Sequence, residues 1–207
     1  MKVQGSLIIV SAPSGTGKTS LVFALKQRLP TLRISVSHTT RAIRPGEENG
    51  IHYNFVSQED FSHMLEANIF LEHAEVFGNH YGTSSQWVTK NMEEGNDVVL
   101  EIDWQGAQQI RSKFNEAISI FILPPSEQAL LERLTARNSD DRREIAKRMA
   151  QAKNEVSHYN EYDYLVVNDD FDNALTDLVA IISAARLRRS RQKLAREELI
   201  AQLCKKP

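Results

Sequence analysis

The chain has 207 residues, 41% hydrophobic and 25% charged, with 9 Gly and 6 Pro, a composition that excludes disorder, collagen-like repeats and low complexity. A lone cysteine, Cys204, excludes an internal disulfide framework and a multi-cysteine zinc site, and the longest apolar runs, near residues 7–10 and 118–123, are too short to cross a bilayer. Net charge is −2, so no global field recruits nucleic acid, although the segment from Arg186 onward carries +6 and the remainder −8.

Lys2 ahead of so brief an apolar stretch makes a poor signal peptide, and a cytoplasmic location with no membrane partner is expected. Residues 7–11 read as a buried strand, and residues 18–29 as a helix with Leu21, Leu25 and Leu29 on one face. Residues 33–37 form a second strand. Residues 52–56 and 70–76 read as strands either side of a helix capped by Ser57, with Asp60 three residues on. Residues 84–94 make a helix closed by Gly95. Two further buried strands, 97–103 and 119–123, enclose a helix over 105–114. Ser126 caps a helix to about residue 137, residues 142–158 make another, 164–167 the last strand, and 172 to about 203 one long final helix. Leu175, Leu178, Val179 and Ile182 give that helix a core-facing side. Its basic continuation is compatible with folding back, with pairing into a homo-oligomer, or with fraying.

Alternation of strand and helix implies an α/β fold with a mostly parallel sheet covered on both faces. Two stretches interrupt it. Residues 38–83, with charged Gly-containing turns, read as an inserted, partly antiparallel subdomain; residues 126–157, helical and Arg-rich, suit a mobile lid. The expected organisation is one domain over 1–207, with a core of 1–37, 84–125 and 158–207.

After the first strand comes the run Ala12, Pro13, Ser14, Gly15, Thr16, Gly17, Lys18 and Thr19, which opens a helix. It is a P-loop in which Ala12 replaces the first Gly, and the strand before and helix after supply the required context. Gly15 and Gly17 let backbone N–H groups curl around phosphate oxygens, and the helix N-terminus adds partial positive charge. Lys18 can reach the β- and γ-phosphates, and the Thr19 hydroxyl can ligate Mg²⁺. A nucleoside triphosphate is the expected ligand.

Arg41 and Arg44, three apart in a turn, form a fork suited to a phosphate dianion, with Tyr53 on the strand that follows. Beside Glu47 the same cluster also reads as a surface salt-bridge patch. TTRAIRPGEENGIHYNFV at residues 39–56 decides between them, because it resembles the signature of the guanylate kinase family. FLEHAEVFGNHYGTS, LEIDWQGAQQI and VVNDDFDNA are similar to further blocks of that family, and with APSGTGKT the resemblance runs in order from about residue 7 to 178.

The resemblance implies a P-loop NTPase-type sheet with an inserted GMP-binding α+β subdomain and a helical lid. It implies transfer of phosphate from Mg·ATP to GMP or dGMP, a step of guanine nucleotide synthesis and recycling. It places Arg41, Arg44, Tyr53 and Tyr81 on the GMP phosphate, and Ser37, Glu72, Thr83 and Asp103 around guanine. A carboxylate such as Glu72 can accept from both the ring N–H and the exocyclic amine, while hydroxyls from Ser37 and Thr83 can donate to the guanine carbonyl. Adenine would set acceptor against acceptor, and such mispairing discriminates by about 10⁴ or more. Arg133, Arg137 and Arg148 fall where the family has lid arginines; with Lys18 and Arg41 they are expected to neutralise charge on three phosphates. Asn168 falls where the family contacts adenine, largely through backbone, although a structural turn after the last strand explains it nearly as well. Asp103 suits either guanine or Mg²⁺ waters, and Glu101 stands where the family has Asp, leaving its contact to the metal open.

Two other readings are weighed. Guanylate-kinase-like scaffold domains bind phosphopeptides without catalysis, but they generally lack the working loop that Gly17, Lys18 and Thr19 retain here. A different acceptor is opposed by Glu72 with Ser37 and Thr83.

Overall fold

The computed structural model describes residues 4–136 and 142–205. In chain order the elements are β1 (Leu7–Ser11), α1 (Lys18–Arg28), β2 (Leu32–Ile34), β3 (His38–Thr39), β4 (Asn54–Phe55), α2 (Gln58–Glu66), β5 (Phe70–Val76), β6 (Asn79–Ser84) and α3 (Ser85–Glu93). There follow β7 (Asp97–Glu101), α4 (Trp104–Lys113), β8 (Ile118–Leu123), α5 (Glu127–Ala136), α6 (Arg142–Ser157), β9 (Tyr164–Val167), α7 (Phe171–Arg186), α8 (Arg189–Ala195) and α9 (Glu197–Leu203).

The aliphatic runs of β1, β7 and β8 are buried on both sides because helices cover both faces of their sheet. That sheet is parallel throughout, in the order β2-β7-β1-β8-β9. Period-2 alternation splits β1 between two cores. Ile8 and Val10 join Leu21, Leu25, Leu178 and Ile182 from α1 and α7, whereas Leu7 and Ile9 join Val88, Ile110 and Phe121 on the face covered by α3 and α4. Ligand-bearing loops in such sheets gather at the carboxyl ends of the strands, and the loops after β1 and β7 lie there.

A second sheet, in the order β4-β3-β6-β5, holds residues 38–84. Its β5–β6 hairpin closes through Phe77 (φ 52°) and Gly78 (φ 70°), the paired positive φ of a type I′ turn. At the start of α2 the Ser57 hydroxyl accepts from the Asp60 amide at 3.0 Å and donates to the Asp60 carboxylate at 2.7 Å.

Several elements depart from the sequence reading. Neither β3 nor β6 is signalled, since neither has an apolar alternation. The second core strand is Leu32–Ile34, because Ser35 makes one last bond to Val99 O (3.0 Å) before the chain leaves for the second sheet. Asp103 belongs to no strand; it is the N-cap of α4, accepting from the Gly106 amide at 3.0 Å. The expected single final helix is three, α7, α8 and α9. Arg186 and Arg191 both bind the buried Asp97 carboxylate, at 2.6 and 3.0 Å. Five residues apart on one helix they would point about 140° apart. The chain therefore breaks at Arg188, whose backbone is extended (φ −51°, ψ 137°). Among the described residues, no helix is long and apolar enough to cross a membrane.

Candidate active site

The loop between β1 and α1 is shaped by its glycines. Gly15 and Gly17 adopt φ of 91° and 94°, which a side chain tolerates poorly, and Gly17 is the residue from which α1 starts. Ala12 is not among the residues with positive φ, so its Cβ is accommodated where a first glycine is usual. Thr16 is fully buried, its hydroxyl donating to Pro13 O at 2.7 Å, and closes the loop on itself.

Asn168, just after the edge strand β9, and Arg133, on α5, hold this loop from behind. Asn168, 6% exposed, donates from Nδ2 to Thr16 O at 2.6 Å. Arg133 donates to the same carbonyl at 3.3 Å and to Asn168 O at 3.1 Å. A Cβ on Gly17 would stand 2.6 Å from Asn168 Nδ2, and one on Gly15 would stand 3.0 Å from the Leu134 side chain on α5. The side chains of Asn168 and Arg133 thus brace the phosphate loop.

One open cleft of about 260 Å³ runs along the loop and the second sheet. Ala12, Pro13, Ser14, Gly15, Gly17, Lys18 and Thr19 line it together with Ser37, Tyr53, Glu72, Tyr81, Glu101 and Asp103. The Thr19 hydroxyl lies 3.3 Å from a Glu101 oxygen, so the first turn of α1 and the end of β7 present two hard oxygens side by side.

Glu72 is the most buried carboxylate of the cleft, 3% exposed. Thr83, its cross-strand partner, donates a hydroxyl to Glu72 Oε1 at 2.5 Å, and the Ser37 and Thr83 hydroxyls stand 3.4 Å apart. Burial pushes the Glu72 carboxyl up to about 7; the Thr83 hydroxyl opposes this and the Asp103 charge adds to it. Glu72 Oε2 rests on the bare Cα of Gly106, where a Cβ would be only 2.3 Å away.

Arg41 is held rather than free. It pairs with Glu47 at 2.7 Å and stacks over the Tyr53 and Phe55 rings at 5.3 and 5.7 Å. The Tyr53 and Tyr81 rings meet edge to face at 5.9 Å. The Glu47 hydrogen bond raises the Arg41 guanidinium above its ordinary value, and Tyr81 adds to this. The structure therefore gathers Arg41, Tyr53 and Tyr81. Arg44 is exposed on the turn, its amide donating to Glu47 Oε2 at 2.8 Å.

Arg148 is half-buried on α6, and Arg137 lies outside the described residues. Sequence reasoning missed Glu155, also on α6, which enters the cleft lining. Burial pushes its carboxyl up to about 7, opposed chiefly by the Lys18 charge. The available signal was its seven-residue spacing from Arg148, which puts both on one helix face.

The fold and loop define a P-loop α/β protein, of the class that handles nucleoside triphosphates at the carboxyl edge of a parallel sheet. Comparison with known proteins narrows this. The sequence profile of the family described as Guanylate kinase matches residues 4–185. The chain is 59% identical over 202 residues to the guanylate kinase of Escherichia coli (strain K12), covering 97% of this chain and 98% of that one. It is 58% identical over 191 residues to that of Photobacterium profundum, covering 91% and 92%. The crystal structure of guanylate kinase from Anaplasma phagocytophilum superposes with a TM-score of 0.83 at 34% identity, covering 100% of this chain and 99% of that one. The chain belongs to the guanylate kinase family.

Proposed function

We infer that the cleft carries the reaction for which the family is named. The chain is an ATP:GMP phosphotransferase, a nucleoside monophosphate kinase that moves the γ-phosphoryl group of ATP to GMP, giving ADP and GDP. One observation carries the acceptor assignment: Glu72, buried and partnered by Thr83 and Ser37, lines the same cleft as the phosphate loop.

In this reading the backbone of residues 12–19 and the Lys18 ammonium hold the ATP phosphates. Arg133 and Asn168 act on the donor site by fixing Thr16. Ionised Glu72 accepts from the guanine ring N–H and the exocyclic amine, and the Ser37 and Thr83 hydroxyls address the base alongside it. Asp103, committed to capping α4, contributes its charge to this wall. Arg41, Tyr53 and Tyr81 bind the acceptor phosphate, with Arg44 reaching in from the turn. The acceptor oxygen is already anionic near neutral pH, so no general base is needed. What remains is charge, which Lys18, Arg41 and the lid arginines Arg148 and Arg137 offset. The hydroxyl of Thr19 and the carboxylate of Glu101, with Asp103 nearby in the cleft, are the hard oxygen donors that Mg²⁺ selects. Held by these residues, such an ion would supply positive charge against the transferring phosphates. Residues 38–83 and 126–157 serve as acceptor subdomain and lid, and dGMP serves as a second acceptor.

The test is ADP release from Mg·ATP with GMP, dGMP, AMP, CMP and UMP in turn. Turnover with GMP and dGMP alone is expected. Turnover with another base would discard the assignment of Ser37, Glu72 and Thr83.

A further inference from the structure

β5 is the edge strand of the second sheet, so the backbone groups of every other residue face away from β6 with no strand to meet them. Helix α4, which packs on the core sheet, meets them instead. Gln105 Nε2 donates to Glu75 O at 3.2 Å, Gln109 Nε2 to His73 O at 2.6 Å, and Lys113 Nζ to Leu71 O at 2.6 Å. The His73 amide donates back to Gln109 Oε1 at 3.1 Å, so Gln109 bonds His73 as a neighbouring strand would. The match is metric. Four residues of helix advance about 6 Å and two residues of strand about 6.7 Å, so positions 105, 109 and 113 run in step with 75, 73 and 71.

Glu72 sits inside this ladder, between the bonded carbonyls of Leu71 and His73, and its Oε2 touches α4 at Gly106. Asp103 caps the same helix. Ile110 of α4 and Leu71 of β5 share one core cluster with the central sheet.

We propose that Gln109, assisted by Gln105 and Lys113, is a positioning residue for base selectivity, registering β5 against α4 so that the Glu72 carboxylate meets the guanine edge. The inference rests on the reading of Glu72 as the group that recognises guanine. Two hydrogen bonds fix the register at Gln109, and their loss frees β5 to shift against α4. That is enough to misalign a two-point contact while leaving the phosphate loop untouched.

The test compares GMP with inosine monophosphate, which lacks the exocyclic amine, in wild type, Gln109→Leu, Lys113→Met and Glu72→Gln. Gln109→Leu is expected to raise KM for GMP about tenfold, with KM for ATP unchanged, and to shrink the GMP-to-IMP ratio of kcat/KM by a similar factor. Lys113→Met loses one bond and also a positive charge that favours ionised Glu72, so it is read at about pH 8.5, where it moves both the same way by about threefold and stands in should the first variant fail to fold. If Glu72→Gln collapses the ratio and neither ladder variant moves it, the ladder has no role in selectivity. A uniform loss in KM for both substrates and in kcat, accompanied by a fall in Tm, would mean a structural role only. If Glu72→Gln itself leaves the ratio intact, the reading beneath the proposal is wrong.

Discussion

Acidification should weaken GMP binding through one carboxylate. Glu72 is 3% exposed, and burial pushes it from 4.5 up to about 7. At about 1.36 kcal/mol per pH unit, ionising Glu72 in place costs about 3 kcal/mol more than ionising a solvated carboxyl. Only the ionised form offers two acceptors to guanine; the neutral form turns an O–H donor toward a donor. About nine-tenths of the free protein is competent at pH 8 and about one-tenth at pH 6, so the GMP Kd should rise nearly tenfold across that interval and tenfold per unit below it.

The assay is calorimetric titration with GMP between about pH 5.5 and 8.5, on wild type and Glu72→Gln. The second ionisation of the GMP phosphate, near 6, is common to both and cancels in the ratio of their Kd values. Losing one of two charge-assisted bonds should leave the variant about a hundredfold weaker at pH 8, including the cost of a mispaired amide. The gap should narrow to about tenfold at pH 6. At pH 7 wild type should also release about half a proton more than the variant on binding. Parallel pH curves for the two proteins would refute the reasoning.

Replacing Asn168 by Ala leaves Thr16 O with only the 3.3 Å bond from Arg133, and should weaken ATP binding about five- to tenfold without altering GMP affinity; titration of each nucleotide separately checks this. Glu155→Gln removes a negative charge that faces Lys18, so KM for ATP should fall severalfold at pH 8, with the advantage vanishing near pH 6 as the wild-type carboxyl protonates. Because Glu72 and Glu155 are raised above their unfolded value of 4.5, the folded chain holds protons there that the unfolded chain loses. Their stabilising contribution is complete below about pH 4.5 and gone above about 7, and thermal melts of both Gln variants should show a flatter pH dependence than wild type. Binding of GMP with ATP should draw the second sheet and α6 together over the phosphates, measured as a shorter label-to-label distance; an unchanged distance would exclude closure.

The phosphate loop is legible in the sequence because its chemistry is local. Backbone that curls around phosphate needs positive φ, and Gly15 and Gly17 supply it within one short span. The central strands are legible because burial on both faces leaves unbroken aliphatic runs. β6 is not, since its burial comes from small residues: the Phe70 ring lies 2.8 Å from where a Gly82 Cβ would be, so that position must stay bare. The resemblance gives Asn168 a backbone contact with adenine; the bond its side chain makes to a carbonyl 152 residues away is a pairing that no local pattern encodes. The final helix keeps its period in sequence; its break is dictated by one buried Asp97 that calls in two arginines from different turns. Glu155 goes unseen because a single acidic residue on a charged helix resembles any solvated face.

These braces bound where motion can occur. Arg133 and Asn168 tie the donor loop to α5 and to the β9 edge of the central sheet, with Leu134 of α5 seated on Gly15. Gln105, Gln109 and Lys113 tie β5 to α4, and hence the base wall to that sheet. A rigid swing of the whole second sheet would break these hydrogen bonds to β5. A displacement that keeps them would instead grow across the sheet from β5 through the antiparallel β6 and β3 to β4, which pairs parallel with β3. Of the groups assigned to the acceptor phosphate, Arg41 and Tyr53 sit beside β3 and β4 and Tyr81 on β6; of those assigned to the base, Thr83 is on β6, Ser37 beside β3 and Glu72 on β5. The Glu72 wall is the part of the cleft tied to the core sheet, and Arg41 and Tyr53 are the part farthest from that tie.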